Sequence, residues 1–285
     1  MKVRKIIGCL TAALIFVVFT QQTKAQNPNA DLVKNSRPSG DIYRTDIAER
    51  LPLEYPHLEE RDVLWEKRIW REIDVRELQN HHFAYEKRHF VTILLDALKN
   101  NKISAYSTSN DEFTEELSYK DISKVINTCD TSFVTDSESG LVTEVPFTNE
   151  FDPKSILRYR IKEVVYFDSK LSRMNHRILG IAPIMNRYDN QNNLIGAVPL
   201  CWFYYNDLRN VLAKEPIFNS ASDSRSLTWD DVFQIRYYSS FITKESNLKD
   251  ARLQDLYSGI NILYESEKIH ENIRNREADM FSEGN

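Results

Sequence analysis

Residues 81–89, HHFAYEKRH, hold the one group of side chains whose spacing suggests a metal site. In a helix, His82, Glu86 and His89 would occupy positions i, i+4 and i+7 and share one face. Two imidazoles and a carboxylate form a ligand set that Zn²⁺ accepts. The segment lies between two predicted helices, however, and HHFAY is more typical of a linker. We therefore predict capping or surface histidines, with no resident metal and no other cofactor.

Other patterns that carry chemistry are missing from the sequence. It has no G-x-x-x-x-G-K-[ST] or G-x-G-x-x-G phosphate loop, no G-x-S-x-G nucleophile turn and no C-x-x-C pair. Adjacent carboxylates such as Asp230 and Asp231 fall at predicted helix starts, where they complement the helix dipole. The sequence favours a non-enzymatic protein without catalytic residues. The alternative is a periplasmic enzyme or ligand-binding protein whose site follows no known pattern.

The first 25 residues have the features of a signal peptide. Lys2, Arg4 and Lys5 precede an apolar run from Ile6 to Phe19, which is shorter than the twenty or so residues of a spanning helix. We expect cleavage after Ala25, with an uncleaved membrane anchor as the alternative. A lipid on Cys9 would require cleavage before the apolar run, so a lipoprotein is disfavoured.

Removal of the predicted signal peptide changes the net charge of the chain, and export places its cysteines in an oxidising compartment. Residues 1–25 contain four basic residues and no acid, so their removal takes the formal net charge from −5 to −9. Nucleic-acid binding is therefore disfavoured, because it depends on a basic surface. In an oxidising compartment Cys129 and Cys201 could form a disulfide. Two separate buried thiols are the alternative.

The remaining sequence divides by its patterns into an arm, a domain and a tail. Residues 26–57 hold four prolines and scattered single apolar residues, which favours an extended arm. We expect an α+β domain over 58–272, in which N-terminal helices pack on a mainly antiparallel sheet and a long C-terminal helix follows. Its parts are a helical part over 58–128, a sheet part over 129–245, a C-terminal helix over 246–272, and then a flexible tail over 273–285.

Helical spacing is clearest at three places. Residues 59–78 place Trp65, Ile69 and Ile73 on one helical line, with opposite charges four apart. Phe90 and the apolar residues after it predict an amphipathic helix. Near the C-terminus a further helix is predicted to bury an apolar face. Its residues are Leu253, Leu256, Tyr257, Ile260, Leu263 and Tyr264.

The sheet part contains two predicted hairpins. The sequence TSFVTDSESGLVTEV places two β-rich runs around a glycine-containing turn, and a second hairpin turns at DNQNN. IRYYSSFITK is a candidate returning strand, and Thr228 with Asp231 has the spacing of a capping box.

Trp65 and Trp70 are the candidate interface residues of the domain. On a helix the two side chains would be about 140° apart, so one core cannot easily bury both. We predict that one indole contributes to the core and the other faces a neighbouring subunit, since Trp is enriched at interface hot spots. The apolar residues of the arm are further candidates for such contacts: Ile42, Tyr43, Leu51 and Leu53.

Four segments in the same order resemble the GldN family, also called PorN. They are DVLWEKRIWREIDVRE, LLDALKNNKISAYS, LTWDDVFQIRYYSSFITKESN and YESEKIHENIRNRE, and the resemblance spans about residues 40–280. The family belongs to the type IX secretion system of the Bacteroidetes and is tied to gliding motility in gliding species.

The resemblance implies a role and partners that the residues alone do not give. It implies a periplasmic protein at the inner face of the outer membrane, where copies of the chain form a ring with the lipoprotein GldK (PorK). It implies contact with the periplasmic region of GldM (PorM), and membrane association only through the lipoprotein. It carries over no catalytic residue.

Overall fold

The computed structural model describes residues 49–126, 129–135, 142–148, 151–188, 194–217 and 227–283. The predicted signal peptide and most of the predicted arm, including Ile42 and Tyr43, lie outside these ranges. Within them the chain is α+β, as predicted, with helices, a mainly antiparallel sheet and a long C-terminal helix.

Ten strands occur in the described residues. They are β1 (Val63–Asp74), β2 (Ala105–Tyr106), β3 (Glu116–Leu117), β4 (Cys129–Thr135), β5 (Val142–Thr148), β6 (Ile156–Asp168), β7 (Arg173–Tyr188), β8 (Leu194–Pro199), β9 (Trp202–Tyr204) and β10 (Phe241–Glu245). Eight of them form one sheet in the order β10-β1-β6-β7-β9-β2-β3, with β8 paired to β7. The other two, β4 and β5, pair with each other in a separate hairpin. Both predicted hairpins and the returning strand β10 are confirmed.

The described α-helices are α1 (Phe90–Lys99), α2 (Tyr119–Ile126), α3 (Tyr205–Leu212), α4 (Trp229–Gln234), α5 (Leu253–Leu256) and α6 (Asn261–Glu283). The predicted helix at Phe90 is confirmed. The predicted capping box of α4 is confirmed too: the backbone N–H of Asp231 donates to Thr228 Oγ1, and the Asp231 carboxylate accepts from the Thr228 N–H.

The helix predicted over residues 59–78 is wrong, because most of this stretch is strand β1. Trp65, Ile69 and Ile73 are four residues apart, and an interval of four keeps side chains on one face of a strand as well as near one face of a helix. The charges pair across strands instead of along a helix. Glu72 accepts from Arg160 on β6 at 2.6 Å, and Arg71 donates to Glu163 on β6 at 2.6 Å.

The main core lies between one face of the sheet and helices α1, α3 and α4. Phe90 of α1 packs on Trp229 of α4, with ring centroids 4.4 Å apart, and on Tyr159 of β6 at 5.2 Å. All three side chains are at most 2% exposed. This aromatic centre fixes the helices against the middle of the sheet.

The C-terminal helix differs from its prediction at both ends. Residues 246–272 were expected to form one helix, followed by a flexible tail. Instead the short helix α5 ends at Leu256, Gly259 adopts a left-handed conformation with φ of 60°, and α6 begins at Asn261 and continues to Glu283. Glycine takes this conformation without steric cost, so Gly259 separates two helices where the periodicity predicts one.

Candidate interaction surfaces

The two candidate tryptophans lie on opposite faces of β1. Trp65 is half-buried and packs with Ile69 and Val165 against Ile269 and Ile273 of α6. Side chains alternate between the two faces of a strand, so Trp65 and Trp70, five residues apart, point in opposite directions. Part of Trp65 remains open to a neighbour, and its place in an interface stays a prediction.

Trp70 is 7% exposed and is held by polar groups of its own chain. Its indole N–H donates to Asp111 at 2.6 Å, and Lys244 Nζ lies 4.3 Å from the ring centroid. Trp202 and Ala182 share its small apolar cluster. Trp70 therefore belongs to a small core on the face of the sheet opposite to Trp65.

A polar cleft of about 370 Å³ opens above Trp70. Two of the cations that line it are paired, Arg160 with Glu72 at 2.6 Å and Lys244 with Asp250, and Arg252 lines it as well. Asp111, also in the lining, pairs with the neighbouring Lys162 at 3.2 Å. The aromatic floor has too little exposed surface for a ligand to stack on it, because Trp70 and Trp202 are 7% and 3% exposed. The cleft is best explained as a network of ion pairs that closes this face of the sheet.

The end of the predicted arm is docked on the domain through Tyr55. The Arg209 guanidinium lies 4.2 Å from the Tyr55 ring centroid and that of Arg177 lies 5.0 Å away. The backbone carbonyls of Leu53 and Pro56 accept from these same two arginines. Leu51 and Leu53 point outward, with 76% and 79% of their surface exposed. The chain thus presents two leucines on a segment that is fixed immediately after them.

The largest run of exposed apolar side chains lies at the junction of α5 and α6. We call it the apolar band, and it consists of Leu256, Tyr257, Ile260, Leu263 and Tyr264. These side chains are between 38% and 66% exposed. The prediction that they form a buried helix face is wrong, and only Leu253 of the predicted set is buried. The break at Gly259 is the cause, because α6 then turns a different face, with Ile262, Ile269 and Ile273, toward the sheet.

His82, predicted as a capping or surface residue, is instead packed among aromatic rings. Its ring centroid lies 4.7 Å from that of Phe83 and 5.5 Å from that of Trp229. Burial lowers the pKa of His82 to about 4. Glu86 points elsewhere, 3.8 Å from Lys154. Among the residues that the structure describes, no group of three or more His, Cys, Asp or Glu side chains could hold a metal ion.

A buried charge cluster, which was not predicted from the sequence, surrounds Glu163 of β6. Glu163 is fully buried, with Arg71 at 2.6 Å and Arg236 at 2.7 Å. Burial alone would raise the pKa of Glu163, but the two guanidinium groups lower it to about 2. His176 lies 3.9 Å from Glu163, and burial lowers its pKa to about 4. The partners come from three distant segments, so no local pattern identifies them.

Cys201 has no exposed surface, and burial raises the pKa of its thiol. Cys129 begins β4, and its side chain is outside the description. The pairing of Cys129 with Cys201 remains a prediction.

Comparisons with known proteins identify the family. The described residues include no helix that is both long and apolar enough to cross a membrane. A family model described as gliding motility associated protein GldN matches residues 58–282, from just before β1 to the end of α6. No curated protein matches the chain. The matched residues make up most of the chain, which therefore belongs to the GldN family of gliding motility and type IX secretion components.

Proposed function

We propose that this chain is a non-enzymatic structural subunit of the periplasmic ring of the type IX secretion system. In this proposal copies of the chain assemble with the lipoprotein GldK (PorK) at the inner face of the outer membrane and contact the periplasmic region of GldM (PorM). The lipoprotein provides the membrane attachment. Membership in the GldN family supports a role in type IX secretion and gliding motility. The ring and the two partner proteins are the part that we propose beyond the family assignment.

The apolar band is the observation that supports a structural role for this chain in an assembly. Five large apolar side chains within nine residues are exposed on one short stretch, whereas the other exposed large apolar side chains of the described residues are scattered along the chain. Soluble monomers rarely expose contiguous apolar patches of more than a few hundred Å², and larger ones mark sites of interaction. We assign the band to the lipoprotein, because a partner that is anchored in the membrane and always present can keep such a surface covered.

Co-purification with the tagged lipoprotein tests this assignment. Ile260→Lys with Leu263→Lys adds two charges to the band, where both side chains are more than half exposed in the isolated chain. We expect the double variant to keep its melting temperature within about 2 °C, since surface substitutions change stability little. We expect capture by the lipoprotein to fall at least tenfold.

Asn275→Lys with Ala278→Lys is the matched control. Both positions are exposed on α6 and lie about 20 Å or more along the helix from Ile260. This variant adds the same charge to the same helix and should be captured like the wild type. Equal capture of both double variants would contradict the assignment of the band. Failure of the wild-type chain to co-purify at all would contradict the proposed function.

A further inference from the structure

A cationic groove of about 350 Å³ runs along the edge of the first half of β7. Arg173, His176, Arg177 and Arg236 line it together with Tyr55 and Tyr166, and none of the residues that line it is Asp or Glu. The nearby carboxylate of Glu163 is fully buried and already held by Arg71 and Arg236. At neutral pH His176 is uncharged and Arg236 is neutralised by Glu163, so the net positive charge of the groove comes from Arg173 and Arg177.

Two arginines of the groove have no carboxylate partner among the described residues. Arg173 is exposed and makes no ion pair with any residue that the structure describes. Arg177 uses one nitrogen to donate to the Pro56 carbonyl at 3.0 Å, but its Nε is buried and has no hydrogen-bond partner among the described residues. An unsatisfied buried donor costs about 1–3 kcal/mol, so an anionic acceptor would be favourable here.

The backbone of β7 is also open at this place. Residues 173–178 pair with β6 on one side, whereas β8 and β9 pair with β7 only from Gly180 onward. The Met174 N–H points away from β6 and donates to Glu277 of α6 at 2.9 Å. By the alternation of a strand, the N–H groups of His176 and Ile178 point the same way. A strand edge that is not paired with another strand favours an added strand from another chain.

The chain itself contains a strand pair of the complementary charge. The hairpin of β4 and β5 forms a two-stranded sheet of its own, and an isolated hairpin is at best marginally stable in water. Between Lys124 and Lys154 the sequence has no Lys, Arg or His. It has six acidic residues there: Asp130, Asp136, Glu138, Glu144, Glu150 and Asp152.

The chain enters the sheet from the hairpin at one end of β6, and the groove lies toward the other end of that strand. The hairpin returns to the domain just before Ile156, the first residue of β6. Arg177 of the groove pairs with Val164, eight residues further along the same strand, which is about 26 Å at the usual rise of a strand. A contact from the hairpin of one copy to the groove of the next would therefore be head to tail, and such contacts build rings or open filaments.

We propose that the cationic groove at the β7 edge binds the acidic hairpin of a second copy of this chain. The carboxylates of the hairpin face Arg173 and Arg177, and one of its strands extends the sheet at β7. The contact deepens the proposed function, on which it rests, because it supplies a joint between neighbouring copies.

Charge reversal at each end of the contact tests the proposal in the full-length chain without its signal peptide. The groove variant carries Arg173→Glu with Arg177→Glu, and the hairpin variant carries Asp130→Lys with Glu144→Lys. Sedimentation velocity at low salt should show concentration-dependent association of the wild type. Each variant should need at least thirtyfold higher concentration to associate.

Mixing the two variants distinguishes a head-to-tail contact from a symmetric one. In the mixture the intact hairpin of one variant meets the intact groove of the other, and the two reversed ends are complementary to each other as well. A head-to-tail contact should therefore give association that continues beyond a dimer, whereas a symmetric contact would stop at a dimer. A chain with all four reversals should associate again. A monomeric mixture, or a wild type that stays monomeric at every concentration, would overturn the proposal.

Further controls separate folding and the lipoprotein from this contact. Lys87→Glu with Lys99→Glu reverses two exposed lysines that make no described ion pair, and it should associate like the wild type. Because Arg177 also holds Tyr55, Arg173→Glu alone is measured as the milder variant, and thermal melting checks each fold. Self-association that survives both reversals while lipoprotein capture is intact overturns this contact and leaves the proposed function standing. Loss of lipoprotein capture alone by the groove variant would show that the groove binds that partner instead.

Discussion

Helix α1 and the α5–α6 junction have similar apolar spacing in the sequence, but the apolar residues of α1 are buried and those of the junction are exposed. Phe90, Ile93 and Leu94 of α1 are at most 1% exposed, whereas Ile260 and Leu263 are 63% and 53% exposed. The sheet covers α1, and nothing in the described part of the chain covers the apolar band. The comparison shows that periodicity identifies a face that needs a partner without telling whether that partner is in the same chain.

We expect the largest loss of stability from a substitution in α1, the helix that the sheet covers. Phe90→Ala removes a ring that contacts Trp229 and Tyr159, and we expect it to lower the free energy of unfolding by about 3–5 kcal/mol. Leu263→Ala, in the exposed band, should change it by no more than about 0.5 kcal/mol. Urea unfolding monitored by circular dichroism measures both. Similar losses for the two variants would show that the band is covered within the isolated chain.

The sequence predicts best what local patterns determine. The helix at Phe90, the capping box at Thr228 and the two hairpins follow from neighbouring residues and are confirmed. Strand β1 is missed because its apolar residues are four apart, an interval that suits both a helix and a strand, and because its charges find partners about 90 residues away. The predicted C-terminal helix fails at a single residue, Gly259.

The interaction surfaces are harder to predict than the fold. The cluster around Glu163 joins Arg71, Arg236 and His176 from three segments that only the folded sheet brings together. The arm shows the same limit. Its leucines are exposed, but the ring of Tyr55 that fixes them depends on Arg177 and Arg209, far along the chain.

Trp65 and Trp70 allow the same comparison of a buried and a partly exposed side chain within one strand, β1. Trp70 is almost fully buried and donates to Asp111, so Trp70→Ala should lower the free energy of unfolding by about 3 kcal/mol or more. Trp65 is only half-buried, so Trp65→Ala should have a smaller effect on unfolding. It should weaken association with the lipoprotein or with another copy by about 2 kcal/mol, as hot-spot truncations do.

Urea unfolding and pull-down of the lipoprotein measure the two effects of the tryptophan variants separately. Trp→Phe at each position is the milder matched variant, because it keeps an aromatic ring. If both alanine variants change only unfolding, Trp65 has no role in an interface.

A smaller effect concerns the aromatic centre beside α1 and its dependence on pH. The pKa of His82 is about 4 in the folded chain and about 6.5 when unfolded, so below pH 6.5 the unfolded state binds more protons. Stability should therefore fall as the pH decreases from 6.5 to 4, with His82 contributing about 2 kcal/mol of the loss. His176 adds to the same trend, since its pKa is lowered in the same direction.

His82→Phe keeps a ring in the aromatic centre and removes this titration. Its unfolding free energy should depend less steeply on pH between 6.5 and 4 than that of the wild type. His81→Phe is the control, since His81 is exposed. Parallel pH profiles for His82→Phe and the wild type would show that the pKa of His82 is not lowered in the folded protein.

We expect the smallest effect on stability from changes in the arm. These changes test whether exposed apolar residues of the chain contact a partner. Deletion of residues 26–50 removes Ile42 and Tyr43 but leaves Tyr55 in its place between Arg177 and Arg209. The melting temperature should therefore remain within about 2 °C of the wild type. Assembly with the lipoprotein should still weaken, because the scattered apolar residues of the predicted arm would become buried only on a partner.

Leu51→Ser with Leu53→Ser separates the docked end of the arm from the rest. Both leucines are more than three-quarters exposed, so the substitutions should leave unfolding unchanged while reducing assembly less than the deletion does. Tyr55→Ala gives the opposite control, since it releases the arm from the domain without changing any of the leucines. If the deleted chain assembles as well as the wild type, the arm contributes no interface, and the apolar band and the β7 groove remain the surfaces to be tested.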